Sequence, residues 1–312
     1  MAKRKKRHLG ALGVLLVLGI ALSILIWNRF YFSPSLSPTL AAWQGNTTTI
    51  VQFDHPRPLI IGHRGAGLES TAGSFPIGNT PNAIQRAVEA KVDWIEIDLQ
   101  KSKDGHLVVF HDLELDLKTN GQGKLSDHTL NQLTRIKVHV NPTESIHSLD
   151  DTFGRFHSPT HKWIFDIKAP GIHQEVIAWL NKQVTAGALT KEQIIIFGKF
   201  EILQGFKETG FTLGYTATWG EFGSKYRALF SPSTWIERTQ DLGSRFLVLP
   251  VIYAHESMIN RARNSGLEVW VYGTDEPSDF YRLASRGVTG FITDRPKRAA
   301  ESLAIVPRKH AP

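Results

Sequence analysis

Short apolar runs alternate with helical patterns along most of the chain from residue 59 onward. The runs are rich in β-branched and aromatic residues, which favours strands, and many are followed by a segment with a helical apolar period. The predicted strands are 59–62, 93–99, 107–110, 163–167, 193–197, 211–215, 246–250, 268–272 and 290–293. The predicted helices are 80–90, 127–135, 172–185, 200–208, 255–264 and 277–286.

Strands that are separated by helices need crossover connections and therefore form a parallel sheet. About 240 residues with eight or so such units match an α/β fold of the TIM (β/α)8 barrel type. The chain has nine predicted strands, one more than such a barrel contains. Segments 93–99 and 107–110 are joined through Lys103-Asp104-Gly105, a turn with no room for a helix. We therefore expect an irregular barrel. A doubly wound sheet is the alternative, but no glycine-rich nucleotide loop supports it.

The N-terminal segment differs in character from the rest of the chain. Residues 9–27 carry no charge, and at about 1.5 Å per residue such a run spans the roughly 30 Å core of a bilayer. Positions 3–7, before this run, are all lysine or arginine. Such basic residues keep the N-terminal end of a membrane span in the cytoplasm. We expect 1–8 to be cytoplasmic and 9–29 to be a single-pass signal anchor in the plasma (inner) membrane, with the remainder periplasmic or extracellular. A cleaved signal peptide is the alternative.

Composition indicates the remaining domain boundaries and excludes some kinds of partner and metal site. Prolines at 34, 38 and 56 predict a linker over 30–57, followed by the barrel at 58–300 and a tail at 301–312. The net charge is +7, but 6 of the 36 lysines and arginines precede residue 30, which leaves 30 against 29 acidic residues. This nearly neutral body does not indicate a nucleic-acid partner. The absence of cysteine excludes disulfides and a cysteine-ligated zinc site. The oligomeric state stays open.

Chemically active residues follow the first and third predicted strands. His63 and Arg64 come directly after 59–62, and the carboxyl ends of barrel strands form the mouth where active sites lie. Arginine offers a planar fork for phosphate, and histidine titrates near neutral pH. His111 follows 107–110, and two histidines that flank a phosphate can act as general base and general acid. Taken alone, a buried histidine beside a surface arginine is the more common explanation of the first pair.

Acidic residues lie on the second and fourth predicted strands. Glu96 and Asp98 share one face, because side chains alternate along a strand. Two carboxylates on an otherwise apolar strand repel one another and lose hydration, and a divalent cation relieves both costs. Carboxylate oxygens suit Mg²⁺ or Ca²⁺, and Asp166 can complete a three-carboxylate site. Lys168 can offset phosphate charge. Solvent-facing acids on an edge strand, and an ordinary Asp166–Lys168 salt bridge, are the alternatives.

Four segments resemble the glycerophosphodiester phosphodiesterase family: HRG at 63–65, DWIEIDLQKSKDGHLVVFHD at 93–112, FDIK at 165–168 and GVTGFITDRP at 287–296. The resemblance covers residues 59–297 and implies an irregular TIM barrel that hydrolyses glycerophosphodiesters to an alcohol and glycerol 3-phosphate. The implied residues are His63 and His111 as the acid–base pair, Glu96, Asp98 and Asp166 as ligands of one divalent metal ion, Arg64 as the phosphate contact, and Lys168 as the family's lysine after the third acid.

Three features depart from the family pattern. Family members usually have Glu-Asn-Thr where this chain has Gly78-Asn79-Thr80, and Glu69 in the long preceding loop is the candidate replacement. Asp166 stands where glutamate is usual, and Tyr272-Gly273-Thr274-Asp275 stands where Trp-Thr-Val-Asn is usual. These differences leave the predicted metal site intact and bear on substrate selection near Arg64.

Three functions therefore stay open. The leading hypothesis is metal-assisted hydrolysis of a glycerophosphodiester, with water or the substrate's own 2-hydroxyl as the nucleophile. The second is a lysophospholipase-like phosphodiesterase that acts on membrane lipids, suggested by the predicted anchor and by the aromatic residues of 219–235. The third is a catalytically inactive barrel that serves as an anchored binding module, and the missing glutamate is its only support.

Overall fold

The computed structural model describes residues 57–67, 77–138, 144–217 and 232–303. Within these ranges no helix is long and apolar enough to cross a bilayer. The predicted membrane span at 9–27, nearly all of the predicted linker, and most of the aromatic stretch 219–235 lie outside the described residues. They stay predictions.

Eight parallel strands form a closed barrel, as predicted. Around the barrel their order is β1, β2, β5, β6, β7, β8, β9 and β10, and β1 closes the sheet by pairing with both β10 and β2. The ten strands of the sheet are β1 (Leu59–Gly62), β2 (Trp94–Lys101), β3 (Leu107–Val109), β4 (His147–Ser148), β5 (Trp163–Ile167), β6 (Ile194–Gly198), β7 (Thr212–Thr216), β8 (Phe246–Pro250), β9 (Glu268–Tyr272) and β10 (Gly290–Thr293).

The predicted irregularity lies between β2 and β5. β3 pairs antiparallel with β2, with Val109 opposite Leu99, and β4 pairs antiparallel with β3. The turn between β2 and β3 contains Gly105 at a φ of 87°, a conformation that favours glycine. β5 then takes the place beside β2 in the barrel. The additional predicted strand, 107–110, is therefore β3, which forms a hairpin with β2 and is not one of the eight barrel strands.

The helices surround the barrel. They are α1 (Pro81–Glu89), α2 (Leu130–Leu133), α3 (Leu149–Phe156), α4 (His173–Thr185), α5 (Phe200–Leu203), α6 (Pro232–Asp241), α7 (Glu256–Asn264), α8 (Pro277–Ser285) and α9 (Pro296–Leu303). The predicted helix 127–135 is reduced to α2, and 200–208 divides into α5 and a 3-10 helix at Gln204–Thr209. Helices α3, α6 and α9 were not predicted, although α6 and α9 begin with proline, which is favoured at a first helical position.

Apolar side chains fill the lower part of the barrel interior. Trp270 packs against Phe246 with ring centroids 4.3 Å apart. Gly290 has no side chain, and a Cβ atom there would lie 2.7 Å from the Trp270 ring. The interior cluster comprises Ile61, Trp94, Ile164, Ile195, Phe197, Phe246, Val248, Trp270 and Ile292. The barrel is thus a packed core, and chemistry is confined to the ends of its strands.

Candidate active site

The three predicted metal ligands lie together above the apolar interior. On β2, Glu96 and Asp98 follow Trp94 on the inward face, and on β5 Asp166 is the register partner of Asp98. All three side chains are buried, Asp98 completely so. One carboxylate oxygen from each residue lies within 4.8 Å of the other two. The alternation of side chains along two neighbouring strands therefore builds a single carboxylate cluster.

Two cations contact this cluster. Lys168 Nζ lies 2.6 Å from Asp166 Oδ2 and 3.1 Å from Asp98 Oδ1. Arg64 Nε lies 3.1 Å from Asp98 Oδ2. Both predicted phosphate-binding residues are therefore adjacent to the carboxylates, and Asp98 stands between them. Their charges balance those of Asp98 and Asp166 in a region from which water is largely excluded.

The backbone after β1 is bent to reach the cluster. Arg64 has a φ of 51°, and its backbone N–H donates a 2.6 Å hydrogen bond to Glu96 Oε2. Asn79 has a φ of 67°, donates through Nδ2 to Asp98 Oδ2 at 2.6 Å, and accepts from the Asp98 backbone N–H at 3.0 Å. Such left-handed conformations are uncommon outside glycine and concentrate at functional sites. Asn79 was not among the predicted site residues, although it belongs to the segment that departs from the family pattern.

Gly78 occupies the position where the family usually has glutamate. A Cβ atom at this position would lie 2.6 Å from Arg64 Cβ and 3.0 Å from Arg64 Cδ. A side chain at residue 78 would therefore require Arg64 or the backbone around it to shift. Glu69, the candidate replacement, lies outside the described residues.

His63 is held at the seam where the barrel closes. Its Nδ1 atom lies 2.7 Å from Asp294 Oδ1, a residue that directly follows β10. Burial and the Arg64 guanidinium both lower the pKa of His63, but the hydrogen bond and charge of Asp294 outweigh them, so the pKa is raised. Asp294 was not predicted as a site residue, although it lies in the segment 287–296 that resembles the family.

His111 reaches the site by a different route from the predicted one. The expectation that it follows a barrel strand was wrong, because β3 runs antiparallel to β2 and leads back toward the barrel. His111 shares a cleft with Arg64, Asn79 and Lys118. Its Nδ1 atom lies 2.6 Å from Asp112 Oδ1.

Asp112 is itself paired with a cation from the segment that connects β3 to β4. Lys118 Nζ lies 3.2 Å from Asp112 Oδ2. Burial by itself raises the pKa of Asp112, but the hydrogen bond from His111 and the charge of Lys118 outweigh it and lower the pKa to about 2. Neither Asp112 nor Lys118 was predicted to take part in the site.

The electrostatics of the carboxylate cluster favour a bound cation. Burial and the neighbouring charge of Asp98 raise the pKa of Glu96 to about 8. Burial also raises the pKa of Asp98, but Lys168 and Arg64 outweigh it, so the pKa is lowered. Glu96 Oε1 is buried and has no hydrogen-bond partner among the described residues. An unsatisfied carboxylate oxygen beside two further carboxylates is the donor set that a hard divalent cation prefers, so these residues fit a metal ion.

A TIM barrel with buried carboxylates, two histidines and two cations at the mouth suits the hydrolysis of a phosphate ester. Residues 63–298 match the model of the glycerophosphoryl diester phosphodiesterase family. The chain belongs to this family, and its enzymatic class is that of a phosphoric diester hydrolase.

Individual relatives agree with the family assignment. A glycerophosphodiester phosphodiesterase of Bacillus subtilis is 26% identical over 294 residues, covering 88% of this chain and 94% of the relative. One of Caldanaerobacter subterraneus is 26% identical and covers 77% of this chain and 96% of the relative. The fold is similar to an Oleispira antarctica phosphodiesterase that was solved in complex with the product sn-glycerol-3-phosphate. For that structure the TM-score is 0.64 and the identity 19%, over 79% of this chain and 97% of the neighbour.

The raised pKa of Glu96 predicts that metal binding depends on pH. A metal ion requires deprotonated carboxylates, so binding below about pH 8 should displace the Glu96 proton. Apparent affinity for Mg²⁺ or Ca²⁺ should therefore rise with pH and level off above about 8. Isothermal titration calorimetry in buffers of different ionisation enthalpy measures both the affinity and the protons released.

The same pKa sets the sign of a stability effect. The folded-state pKa of Glu96 lies above the ordinary value of 4.5, so its contribution to stability is present below that value and is lost as pH rises through about 8. Thermal unfolding in EDTA should show this loss, and the Glu96→Gln variant should not. For the metal-binding prediction, an affinity that does not change between about pH 6 and about pH 9 would contradict the raised pKa of Glu96.

Proposed function

We propose that this protein hydrolyses glycerophosphodiesters to an alcohol and glycerol 3-phosphate in a metal-dependent reaction. The observation that carries the proposal is the buried cluster of Glu96, Asp98 and Asp166, bordered by Arg64 and Lys168 at the mouth of the barrel. A small anionic substrate suits this arrangement, because the cations border the position that a phosphate would take. Family membership and the product bound to the Oleispira relative support the same substrate class.

Each group has a defined role in this proposal. Glu96, Asp98 and Asp166 would hold one Mg²⁺ or Ca²⁺ ion, which when bound would stabilise charge on the phosphate oxygens and lower the pKa of the attacking hydroxyl group. Arg64 and Lys168 balance the remaining phosphate charge. One histidine accepts the proton of the nucleophile, and the other donates a proton to the leaving alkoxide. Water and the glycerol 2-hydroxyl are the two candidate nucleophiles, and a cyclic phosphate intermediate would identify the second.

The proposed reaction is tested with glycerophosphocholine as substrate. Hydrolysis should stop in EDTA and return when Mg²⁺ or Ca²⁺ is added, because the carboxylates alone cannot stabilise a phosphate. Glu96→Gln should abolish turnover and keep the circular dichroism spectrum of the native protein. Undiminished activity in EDTA would refute the metal role. Complete inactivity with every metal and phosphodiester would favour the third hypothesis, an anchored barrel that only binds.

A lysophospholipid is the second candidate substrate, and one observation favours it. The exposed large apolar side chains among the described residues are Leu113 and Leu117, which are 57% and 81% exposed and closely follow His111 in the chain. Apolar side chains beside the mouth could contact the acyl chain of a lipid substrate. The assay above decides between the substrates when lysophosphatidylcholine is compared with glycerophosphocholine under the same conditions.

The two histidines should show separate roles in kinetics. Positioned proton transfer typically contributes about 10²–10⁴-fold, so His63→Ala and His111→Ala should each lower kcat by that factor, with smaller effects on metal affinity. A nitrophenolate leaving group barely needs protonation. The variant that lacks the general acid should therefore recover much of its rate on a nitrophenyl substrate, and the variant that lacks the general base should not.

Two results would contradict this division of roles. Equal losses on both substrates in both variants would show that neither histidine specifically protonates the leaving group. Full activity in either variant would make that histidine structural and leave catalysis to the metal and the cations.

We further propose that the barrel is displayed outside the cytoplasm by a membrane helix at 9–27. The uncharged run and the basic residues before it support this topology. Protease added to intact spheroplasts should digest the barrel, with a cytoplasmic protein as the protected control. Full protection of the barrel until the membrane is lysed would refute the topology.

A further inference from the structure

We propose that Asp294 and Asp112 are positioning residues that hold His63 and His111 by their Nδ1 atoms, so that Nε2 of each imidazole faces the phosphodiester. The inference rests on the proposed acid–base roles of the two histidines. Beyond those roles, each imidazole has a defined tautomer and a defined orientation. Both are set by a carboxylate that contacts no reacting atom.

The two histidine–carboxylate pairs have matching geometry. His63 Nδ1 lies 2.7 Å from Asp294 Oδ1, and His111 Nδ1 lies 2.6 Å from Asp112 Oδ1. An ionised carboxylate can only accept a hydrogen bond, so Nδ1 carries the proton in both imidazoles. Nε2 is then the atom that remains for proton exchange with the substrate, since the tautomer follows from the bond that the other nitrogen makes.

Asp294 is fixed in place from both sides of the barrel seam. The pairing of β1 with β10 sets Gly62 opposite Thr293, and the His63 backbone N–H donates to Thr293 O at 3.0 Å. Asp275, in the loop after β9, accepts the Asp294 backbone N–H at 3.1 Å and the Thr293 hydroxyl. Asp275 stands where the family tends to have asparagine, and its carboxylate supports the segment that bears Asp294.

Asp112 is fixed by the β2–β3 hairpin and by the segment that follows it. Gln100 on β2 donates through Nε2 to Phe110 O at 3.1 Å and to Asp112 O at 2.5 Å. These two bonds hold the backbone on both sides of His111. Lys118 pairs with the second carboxylate oxygen at 3.2 Å, which limits rotation of the Asp112 side chain.

A third histidine–carboxylate pair offers a matched control. His147 Nδ1 lies 2.7 Å from Asp151 Oδ2, at the start of α3, and neither residue contacts the carboxylate cluster. Asp151→Asn therefore alters a hydrogen bond of the same chemistry and length, together with the ion pair between Asp151 and Arg155. A general effect of breaking such bonds on the protein would appear in this variant as well.

The test is a double-mutant cycle between each carboxylate and its histidine. Asp294→Asn and Asp112→Asn should each lower kcat about 10²–10⁴-fold, because a misoriented imidazole or a wrong tautomer loses proton transfer. KM and the dissociation constant of Mg²⁺, measured by calorimetry, should change less than about threefold. In the His63→Ala background, Asp294→Asn should cause no further loss, and the same should hold for Asp112→Asn with His111→Ala. Asp151→Asn should leave kcat unchanged.

Additive losses of kcat in either cycle would overturn the inference. A carboxylate with a purely structural role would lower kcat by the same factor whether or not the histidine is present. A kcat within about threefold of the wild type in Asp294→Asn or Asp112→Asn would also overturn it for that pair. Failure of the proposed function itself looks different, since the wild type would then hydrolyse no phosphodiester. Failure of the acid–base roles would leave His63→Ala or His111→Ala fully active.

A spectroscopic measurement on the unaltered enzyme covers the case in which a variant does not fold. In ¹⁵N NMR of histidine-labelled protein, at a pH where both imidazoles are neutral, His63 and His111 should appear as the Nδ1–H tautomer. An Nε2–H tautomer for either histidine would overturn the inference for that residue.

Discussion

Burial of three carboxylates inside one barrel is the constraint on which the rest of the site depends. Glu96, Asp98 and Asp166 lie where water cannot solvate them, and an isolated buried charge is far too costly to persist. Arg64 and Lys168 compensate Asp98 and Asp166 directly. Among the described residues Glu96 accepts one hydrogen bond, from a backbone N–H, and burial together with the charge of Asp98 raises its pKa to about 8. A divalent cation would supply what is missing.

This compensation also determines the backbone around the mouth. Arg64 and Asn79 adopt left-handed conformations because both must turn polar groups toward the carboxylates. Gly78 leaves the space through which the Arg64 side chain passes to Asp98. The replacement of the family's glutamate by glycine and the position of Arg64 are therefore one structural feature. The strain of the two residues is offset by hydrogen bonds to buried charges, which are stronger than bonds between neutral groups.

The histidines flank the cluster by two unrelated routes. His63 is placed by closure of the barrel between its first and last strands, which lie far apart in the chain. His111 is placed by a hairpin that leaves the barrel and returns to it. Both routes end in a short bond between Nδ1 and a carboxylate. The closed barrel thus supplies His63, and the hairpin formed by β2 and β3 supplies His111. A barrel without this hairpin would lack the second histidine.

The sequence by itself determined the parallel barrel, the inward face shared by Glu96 and Asp98, and the position of Asp166 on a later strand. These features follow from side-chain periodicity and from alternation of strands with helices, both of which are local. Only the tertiary structure decided that β5 takes the place beside β2, that Asn79 binds Asp98, and that Asp294 meets His63 across 231 positions of sequence. Strand order and barrel closure arise from pairing between distant segments, and no local pattern of residues encodes which distant segments will pair.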